Sequence, residues 1–243
     1  MIEIRHPVVP RRGYDRIYDE KGIRHAQSHF HWILSRLPLK SGTRLLDMSC
    51  GEGQVLGLAA RKGLRTFGLD ISLSALHLAK KQTSGTSYAL GDGEKLPYRD
   101  EVFDWVFNLG SLEHYEHPEQ GVRELTRVLK SEGTALILLP NSFGLIWNVF
   151  HVWRTGDIFD DGQPIQRYGT RREWEALLEE NGLIIWRTIG YNGRTFPRTW
   201  EDFKWYLKRP RKVLTSLFFL PFIPLNGDSM FIFFCRKKTP SSP

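Results

Sequence analysis

Leu45-Leu46-Asp47-Met48-Ser49-Cys50-Gly51-Glu52-Gly53 joins a strand predicted over 43–48 to a helix predicted over 54–62. A glycine-rich turn between a strand and a helix lets the backbone approach a ligand closely and points helix N–H groups at it. The turn is not the dinucleotide fingerprint GxGxxG, because Ser49 takes one glycine position and no third glycine follows Gly53 at the required offset. It is not a P-loop either, because no Gly-Lys-Ser/Thr is present. Alone, the turn predicts either a binding site or a tight connection that binds nothing.

Around this stretch, short apolar runs alternate with amphipathic helices. Strands are predicted over 43–48, 64–69, 86–90, 103–109, 134–139, 183–189 and 230–235, and helices over 22–37, 54–62, 72–81, 118–129 and 170–181. Such alternation predicts an α/β fold, with a mostly parallel sheet and helices on both faces. The last strand follows a loop, so we expect it to run antiparallel. The fold class is therefore a Rossmann-like, doubly wound, seven-stranded sheet.

Two aromatic-rich segments interrupt this alternation, and we expect them to be cap insertions over about 141–169 and 191–228. The whole chain, 1–243, is expected to form one domain with its core over about 40–140 and 170–238. Residues 1–21 are polar and predict an arm. Because the first insertion follows the fifth strand, at the rim where open α/β sheets bind ligands, its aromatic side chains are candidates for an apolar acceptor pocket.

An acidic residue, Asp70, stands at the end of the second strand, about 20 positions after the glycine turn. A carboxylate there suits the two hydroxyls of a ribose, and no basic residue beside it would favour a 2′-phosphate. The turn and the acid together leave two ligand classes open, a dinucleotide or another adenosine compound.

Further motifs follow in order, and together they resemble the class I S-adenosylmethionine (SAM)-dependent methyltransferases, in particular the small-molecule, methyltransferase type 11-like branch. The resemblance covers about residues 43–140. Leu45–Gly53 looks like the first motif of that family, and Asp70 looks like the acid of the second. The other matching stretches are Gly91–Pro97, Phe103–Phe107, Leu112-Glu113-His114 before Pro118, and Arg123–Gly133.

The resemblance implies a cofactor, SAM, and a role for each matching residue. Asp47 and the turn Ser49, Cys50, Gly51 and Gly53 would hold the methionine end of SAM. Asp70 would bind the ribose, Ile71 would pack on the adenine, and Asp92, with Gly93 beside it, would accept from the adenine amino group. Asn108 and Leu109, with Gly110, would form the wall near the sulfonium. Ser49 departs from the family, which usually has glycine there, and its hydroxyl could bond the ligand.

His114 is the candidate catalytic base, because it follows the fourth predicted strand and its ordinary pKa suits proton transfer near neutral pH. The alternative is that His114 only packs over the cofactor or bonds a nearby carbonyl group. Tyr115 is a second, weaker candidate. The other histidines do not form a metal-ligand spacing, so no metal site is expected.

The positive charge is concentrated at the C-terminal end. The chain has 34 Lys+Arg and 27 Asp+Glu, a net charge of +7, and residues 194–243 hold ten basic and three acidic residues. This predicts an anionic partner or a solvated tail. Basic residues next to an apolar stretch suit a lipid-like, anionic acceptor and contact with a membrane surface through 204–225. The alternative, which we favour over membrane contact, is a helical lid whose apolar face packs on the sheet. Nucleic acid is disfavoured, because the basic residues lie beside bulky aliphatic ones and not in a broad polar stripe, and no known nucleic-acid-binding module is present.

The sequence thus predicts an enzyme, a SAM-dependent methyltransferase that acts at O, N or C of a small or lipid-like acceptor. Two other interpretations stay open: a SAM-binding regulator or scaffold without transferase activity, and a peripheral membrane protein with a degenerate cofactor site. A lack of paired cysteines and of an apolar N-terminal core leads us to expect a cytoplasmic protein, with membrane association as an option.

Overall fold

The secondary structure follows the predicted alternation over most of its length. The computed structural model describes residues 1–23, 27–192, 200–208 and 223–238. The strands are β1 (Ile2–Arg5), β2 (Arg44–Met48), β3 (Arg65–Asp70), β4 (Thr86–Leu90), β5 (Phe103–Leu109), β6 (Leu129–Pro140), β7 (Ile165–Tyr168), β8 (Leu183–Tyr191) and β9 (Met230–Lys237). The helices are α1 (Pro10–Glu20), α2 (Gln27–Leu34), α3 (Gln54–Arg61), α4 (Leu73–Gln82), α5 (Pro118–Val128), α6 (Phe150–Thr155), α7 (Arg171–Glu180) and α8 (Trp200–Leu207).

Seven of these strands form one sheet in the order β4-β3-β2-β5-β6-β9-β8. The pairs from β4 to β6 are parallel, whereas β9 runs antiparallel to both β6 and β8. The predicted seven-stranded, mostly parallel sheet with an antiparallel last strand is therefore confirmed. Because parallel strands end at the same edge, the residues after β2, β3 and β5 meet there.

Helices cover both faces of the sheet, so its strands are buried on both sides. Successive residues of β2 point to opposite faces: Leu45 packs in one apolar cluster with Phe107, and Leu46 packs in the other with Trp174. All four side chains are fully buried. At roughly 25 cal/mol per Å² of buried apolar surface, these two clusters are the main favourable contribution to folding.

Two helix starts that the sequence marks are capped as expected. The Ser72 hydroxyl accepts from the Ala75 N–H at 3.1 Å and begins α4. At α7, the Thr170 hydroxyl and the Glu173 carboxylate each accept from the other residue's backbone N–H, which completes a capping box.

The prediction of an N-terminal arm was wrong. Residues 2–5 form β1, which pairs antiparallel with β7, and residues 10–20 form α1. Only Gly13 and Ile17 of α1 are buried, and the helix has few aliphatic side chains, so its apolar face is easily overlooked in the sequence. The partner of β1 lies more than 150 residues away in sequence, and local sequence patterns do not predict such a distant pairing.

The two predicted insertions differ in what the structure describes of them. Residues 141–169 contain a single π-helical turn (Leu145–Val149), α6 and β7. Of 191–228, α8 and a short 3-10 turn at Leu225–Gly227 are described, whereas 193–199 and 209–222 lie outside the described residues, as does most of the proposed membrane-contact stretch. None of the described helices has the length and apolar character needed to cross a bilayer.

Candidate functional site

The glycine turn leaves β2 through three residues in the left-handed region of backbone conformation. Ser49 has φ +84°, Gly51 has φ +51° and Gly53 has φ +72°. The N–H groups of Ser49 and Cys50 both donate to the Leu69 carbonyl oxygen, at 2.7 and 2.9 Å. These two bonds hold the turn against the end of β3.

The Ser49 side chain is held by a hydrogen bond to a residue of the segment that follows β5. Its hydroxyl lies 2.9 Å from the Tyr115 hydroxyl, which also accepts from the Asn108 side-chain amide at 3.3 Å. The side-chain oxygen of Asn108, Oδ1, in turn accepts from the Leu112 N–H at 2.9 Å and from the Ser111 hydroxyl at 3.0 Å. The serine that departs from the family pattern therefore links the turn to the segment after β5.

Asp70 lies where the sequence places it, at the carboxyl end of β3 beside the glycine turn. One carboxylate oxygen accepts from the Gly51 N–H at 2.8 Å, and the other accepts from the Ser72 N–H at 2.9 Å. Each oxygen keeps a second lone pair for a ligand hydroxyl. Burial raises the pKa of Asp70 to about 6, although hydrogen bonds from the backbone of Gly51, Ile71 and Ser72 act in the opposite direction.

Asp47 is a second buried carboxyl group at the same edge of the sheet. Burial, and then repulsion from Asp70, raise the pKa of Asp47 to about 8. Two neighbouring carboxyl groups with raised pKa values favour a ligand that brings positive charge or N–H and O–H donors.

The residues after β4 form a less buried part of the site. Asp92 is exposed, and its carboxylate accepts from the Glu94 N–H at 2.9 Å. Gly93 is buried under Tyr115: a Cβ at Gly93 would lie 2.0 Å from the tyrosine hydroxyl, so no larger residue fits there without moving that ring. Glycine is thus needed at this position for close packing.

A single cavity of about 570 Å³ runs along this edge of the sheet. Nine of the eleven predicted cofactor residues line it, namely Asp47, Ser49, Cys50, Gly51, Asp70, Ile71, Asp92, Gly93 and Leu109. Gly53 and Asn108 do not. A Cβ at Gly53 would meet the Tyr88 hydroxyl at 2.5 Å, and Asn108 is fully buried, so both support the wall from behind.

The cavity continues past Leu109 and Gly110 toward the turn at Leu112–His114. This far half is lined by side chains from four parts of the chain, including Tyr14, Glu113, His114, Trp147, Phe159 and Tyr168. It is mostly aromatic, with a few buried polar groups, as is usual for small-molecule pockets.

His114 is buried, and its Nδ1 bonds the carbonyl oxygen of Ile165. Since a carbonyl oxygen only accepts, Nδ1 carries the proton and Nε2 keeps its lone pair. Burial is the largest cause that lowers the pKa of His114, so the ring is neutral near pH 7. The carbonyl bond that the sequence analysis named as the alternative is present, and Nε2 remains able to accept a proton.

The sequence analysis missed several site residues, and three of them lie on α1. Pro10, Tyr14 and Tyr18 line the cavity from α1. Their spacing of four residues places them on one helical face, and this was the available signal. The polar composition of residues 1–21, typical of an arm, masks that signal.

The donor set fits SAM. The cavity volume lies within the roughly 300–1,000 Å³ of small-molecule sites. Asp70 has free lone pairs beside the glycine turn, and the carboxyl group of Asp47 suits the positively charged methionine end. Tyr18 lies against the turn, because a Cβ at Gly51 would come within 2.7 Å of its hydroxyl.

Comparisons with known proteins identify the family. A family model described as "Methyltransferase domain" matches residues 46–137. The chain is 34% identical to an uncharacterized methyltransferase of Synechocystis sp., over 69% of this chain and 79% of that protein. It is 28% identical to a 27-O-demethylrifamycin SV methyltransferase of Amycolatopsis mediterranei, over 62% of this chain and 57% of that protein.

Solved structures share the fold. A Haemonchus contortus phosphoethanolamine N-methyltransferase 2, solved with SAM, superimposes with a TM-score of 0.64 at 19% identity, over 93% of this chain and 56% of that one. The sheet order, the glycine turn with its two buried carboxyl groups and the relatives all agree. The chain belongs to the class I SAM-dependent methyltransferases.

Proposed function

We propose that this chain transfers the methyl group of SAM to a small-molecule acceptor that binds in the far half of the same cavity. The observation that carries the proposal is the continuity of that cavity, from Asp47 and Asp70 at one end to Glu113, His114 and the aromatic side chains at the other. Both reactants can therefore be held side by side, which removes most of the entropic cost of bringing them together.

When bound, SAM supplies a methyl group that is already activated by a positively charged sulfur, so the protein mainly has to align the acceptor and exclude water. The chain provides rings for this: Trp147 and Phe159 lie on the segment after β6, and Tyr168 lies on β7. The Tyr168 hydroxyl donates to the Phe159 carbonyl oxygen at 2.9 Å, which fixes part of this wall.

The relative from Amycolatopsis is named for a small-molecule acceptor, and this supports the same class of acceptor here. The far half of the cavity has room for a small molecule beside the cofactor, and its lining is mixed aromatic and polar. An acceptor at this site would have one apolar part and one polar group.

The test is calorimetric titration of the purified protein with SAM, followed by an assay for S-adenosylhomocysteine with a panel of small acceptors. We expect SAM to bind, and turnover to require an acceptor. Binding without turnover on any acceptor would favour the regulator or scaffold interpretation. No binding would favour the peripheral membrane protein with a degenerate site.

Substitution of Asp70 tests the cofactor half directly. Asp70→Ala should weaken SAM binding by about 1–3 kcal/mol, because ligand hydroxyls would lose a buried partner. The matched control is Asp100→Ala, which removes a carboxylate that is 72% exposed and lies outside the cavity. Equal SAM affinity in both variants would show that Asp70 does not hold the ribose.

A further inference from the structure

Acidic side chains strongly outnumber basic ones among the described residues that line the cavity. Eight of the described residues that line it are aspartate or glutamate, and none of those described lining residues is lysine or arginine. Asp47, Asp70 and Asp92 belong to the cofactor half. Glu113 and Asp161 belong to the far half, where the acceptor would bind. An anionic group would be repelled there, and a cationic group would be attracted.

Glu113 is the most deeply placed acid of the far half. It is 3% exposed, and its Oε2 has no hydrogen-bond partner within the protein. Its Oε1 lies 3.8 Å from Nε2 of His114, the ring nitrogen that keeps its lone pair. A buried carboxyl oxygen without a partner is costly, and a ligand donor would remove that cost.

Other buried polar atoms around the same space also lack a partner within the protein. They are Oε1 of Gln166, on β7, and the hydroxyls of Tyr14 and Ser229. All three residues line the cavity. Oε1 of Gln166 can only accept a hydrogen bond, and the two hydroxyls can accept or donate. These atoms would together bind a ligand group that donates several hydrogen bonds. An acceptor hydroxyl group donates only one.

We propose, on the basis of the proposed function, that the acceptor is an amine, bound as its ammonium ion by Glu113 and Gln166 in the far half of the cavity. An ammonium or alkylammonium group has two or three N–H donors and a positive charge. The rings of Tyr14, Trp147 and Tyr168 line the same space and provide faces that attract a cation.

The proton and electron balance of the step is complete with these groups. The ammonium ion gives one proton to Oε2 of Glu113 or to Nε2 of His114, which leaves a neutral nitrogen with a lone pair. That lone pair forms the N–CH₃ bond while the S–CH₃ electron pair stays on sulfur. The products are a methylated ammonium ion and S-adenosylhomocysteine, and the proton on the acid leaves to solvent.

The carboxylates also act on the transition state. Positive charge moves from sulfur to the acceptor nitrogen during the transfer, and the Glu113 and Asp161 side chains line the half into which it moves. Burial raises the pKa of Glu113 to about 8, which suits a group that gains and loses a proton near neutral pH. By contrast, the ten basic residues of 194–243 suggested an anionic acceptor as one option, and five of those ten lie outside the described residues.

The first experiment separates acceptor classes by their head group. Phenethylamine, tryptamine and cadaverine are compared with 2-phenylethanol, tryptophol, phenylacetate and indole-3-acetate. Binding is followed as a thermal shift with S-adenosylhomocysteine present, and turnover by mass spectrometry of the methylated product. We expect binding and N-methylation only among the amines.

Two outcomes would overturn the proposal: turnover of an alcohol or carboxylate in preference to its matching amine, or no response to any amine by a protein that binds SAM. The second outcome leaves the proposed function standing. Failure to bind SAM at all would instead remove the proposed function itself.

The second experiment uses Glu113→Gln, which keeps the shape and removes the charge. With the tightest-binding amine of the panel, we expect affinity to fall at least roughly tenfold, the usual effect of losing a charged partner, while SAM affinity is kept. Glu119→Gln is the control, because Glu119 is a neighbouring acid outside the cavity. Equal loss in both variants, or none in Glu113→Gln, contradicts the assignment.

The pH dependence of amine affinity tests the charge of Glu113 directly, because a purely structural role of this residue would not alter that dependence. The charged and titratable groups around Glu113 are Tyr14, His114, Asp161, Arg167 and Tyr168. Amine affinity of the unaltered protein should rise from pH 6 to pH 8, as Glu113 ionises. The profile of Glu113→Gln should be flatter over that range, and identical profiles would show that Glu113 is not the counter-charge.

Discussion

Ser49 holds a backbone conformation that glycine usually supplies. Its φ of +84° costs an L-residue about 1–2 kcal/mol. The hydroxyl recovers part of that cost through its bond to Tyr115, and a buried hydrogen bond is worth about 0.5–1.5 kcal/mol. The sequence identified this serine as a departure from the family, but its partner could not be predicted, because Tyr115 lies 66 residues further along the chain.

Two substitutions at Ser49 separate strain from bonding. Ser49→Gly loses the bond and relieves the strain, so the free energy of unfolding should change by less than about 1 kcal/mol. Ser49→Ala loses the bond and keeps the strain, so it should be less stable than Ser49→Gly by about 1 kcal/mol. Urea denaturation measures both, and the reverse order of stability would argue against a strained turn.

Asp70 predicts a pH dependence of cofactor binding. Ligand hydroxyls that donate to the carboxylate favour its ionised form. Binding therefore lowers the pKa of Asp70 from about 6, its value in the protein without ligand. By linkage, SAM affinity should be about tenfold higher at pH 7 than at pH 5, where Asp70 is protonated. Calorimetry at several pH values measures this rise. Asp70→Asn should lose the component centred near pH 6, and an unchanged profile would count against this role.

At the scale of elements, β7 holds the turn that carries Glu113 and His114. The buried guanidinium of Arg167 donates to the carbonyl oxygens of Tyr115 and Glu116, and to the Glu3 carboxylate at 2.7 Å. Since β1 supplies Glu3, the N-terminal strand, β7 and the 112–114 turn form one connected unit at the far half of the cavity.

Arg167→Lys should destabilise the protein by about 1–3 kcal/mol, because a single ammonium group cannot satisfy several separated carbonyl oxygens. Arg5→Lys is the control. Arg5 pairs with Glu116 at the surface, where both side chains are 45% exposed, and such pairs contribute roughly 0–1 kcal/mol. Thermal or urea denaturation compares the two, and equal effects would show that the Arg167 contacts are not important for stability.

Elements whose signals are local were predicted well, and those that depend on distant partners were not. The Thr170–Glu173 capping box and the strand over 86–90 were both read from adjacent residues. By contrast, β1 is a four-residue strand that exists because β7 pairs with it. Short strands carry little periodicity, and their partners are not encoded nearby.

Over the whole molecule, the site is assembled from segments far apart in sequence. The cofactor half comes from the edge of the sheet, where motif spacing predicted Asp47 and Asp70. The acceptor half brings together α1, the 112–114 turn, β7 and the loop before β9. The sequence named His114 there but gave no role to Glu113 or Gln166, because nothing in local spacing shows which polar atoms end up buried without a partner.

α1 lies along the cavity, with Tyr18 at the cofactor half and Tyr14 at the far half, and the Asp15 side chain binds the neighbouring helix. The Asp15 carboxylate accepts from the Ser72 hydroxyl at 2.7 Å and from the Ser74 N–H at 3.3 Å, at the start of α4. Because Tyr14 and Tyr18 are on the same helix, loss of this contact should let the rings leave the cavity more often.

Asp15→Ala should therefore weaken the attachment of α1 by about 1 kcal/mol and raise the dissociation constant of SAM several-fold. It should also speed hydrogen exchange in α1. The matched control is Asp19→Ala, since Asp19 is an exposed aspartate one turn further along α1. Calorimetry and hydrogen exchange measure the two effects in both variants. If Asp15→Ala binds SAM as the control does while α1 exchanges faster, the helix covers the site without contributing to cofactor affinity. If neither quantity changes, the Asp15 contact does not hold α1 in place.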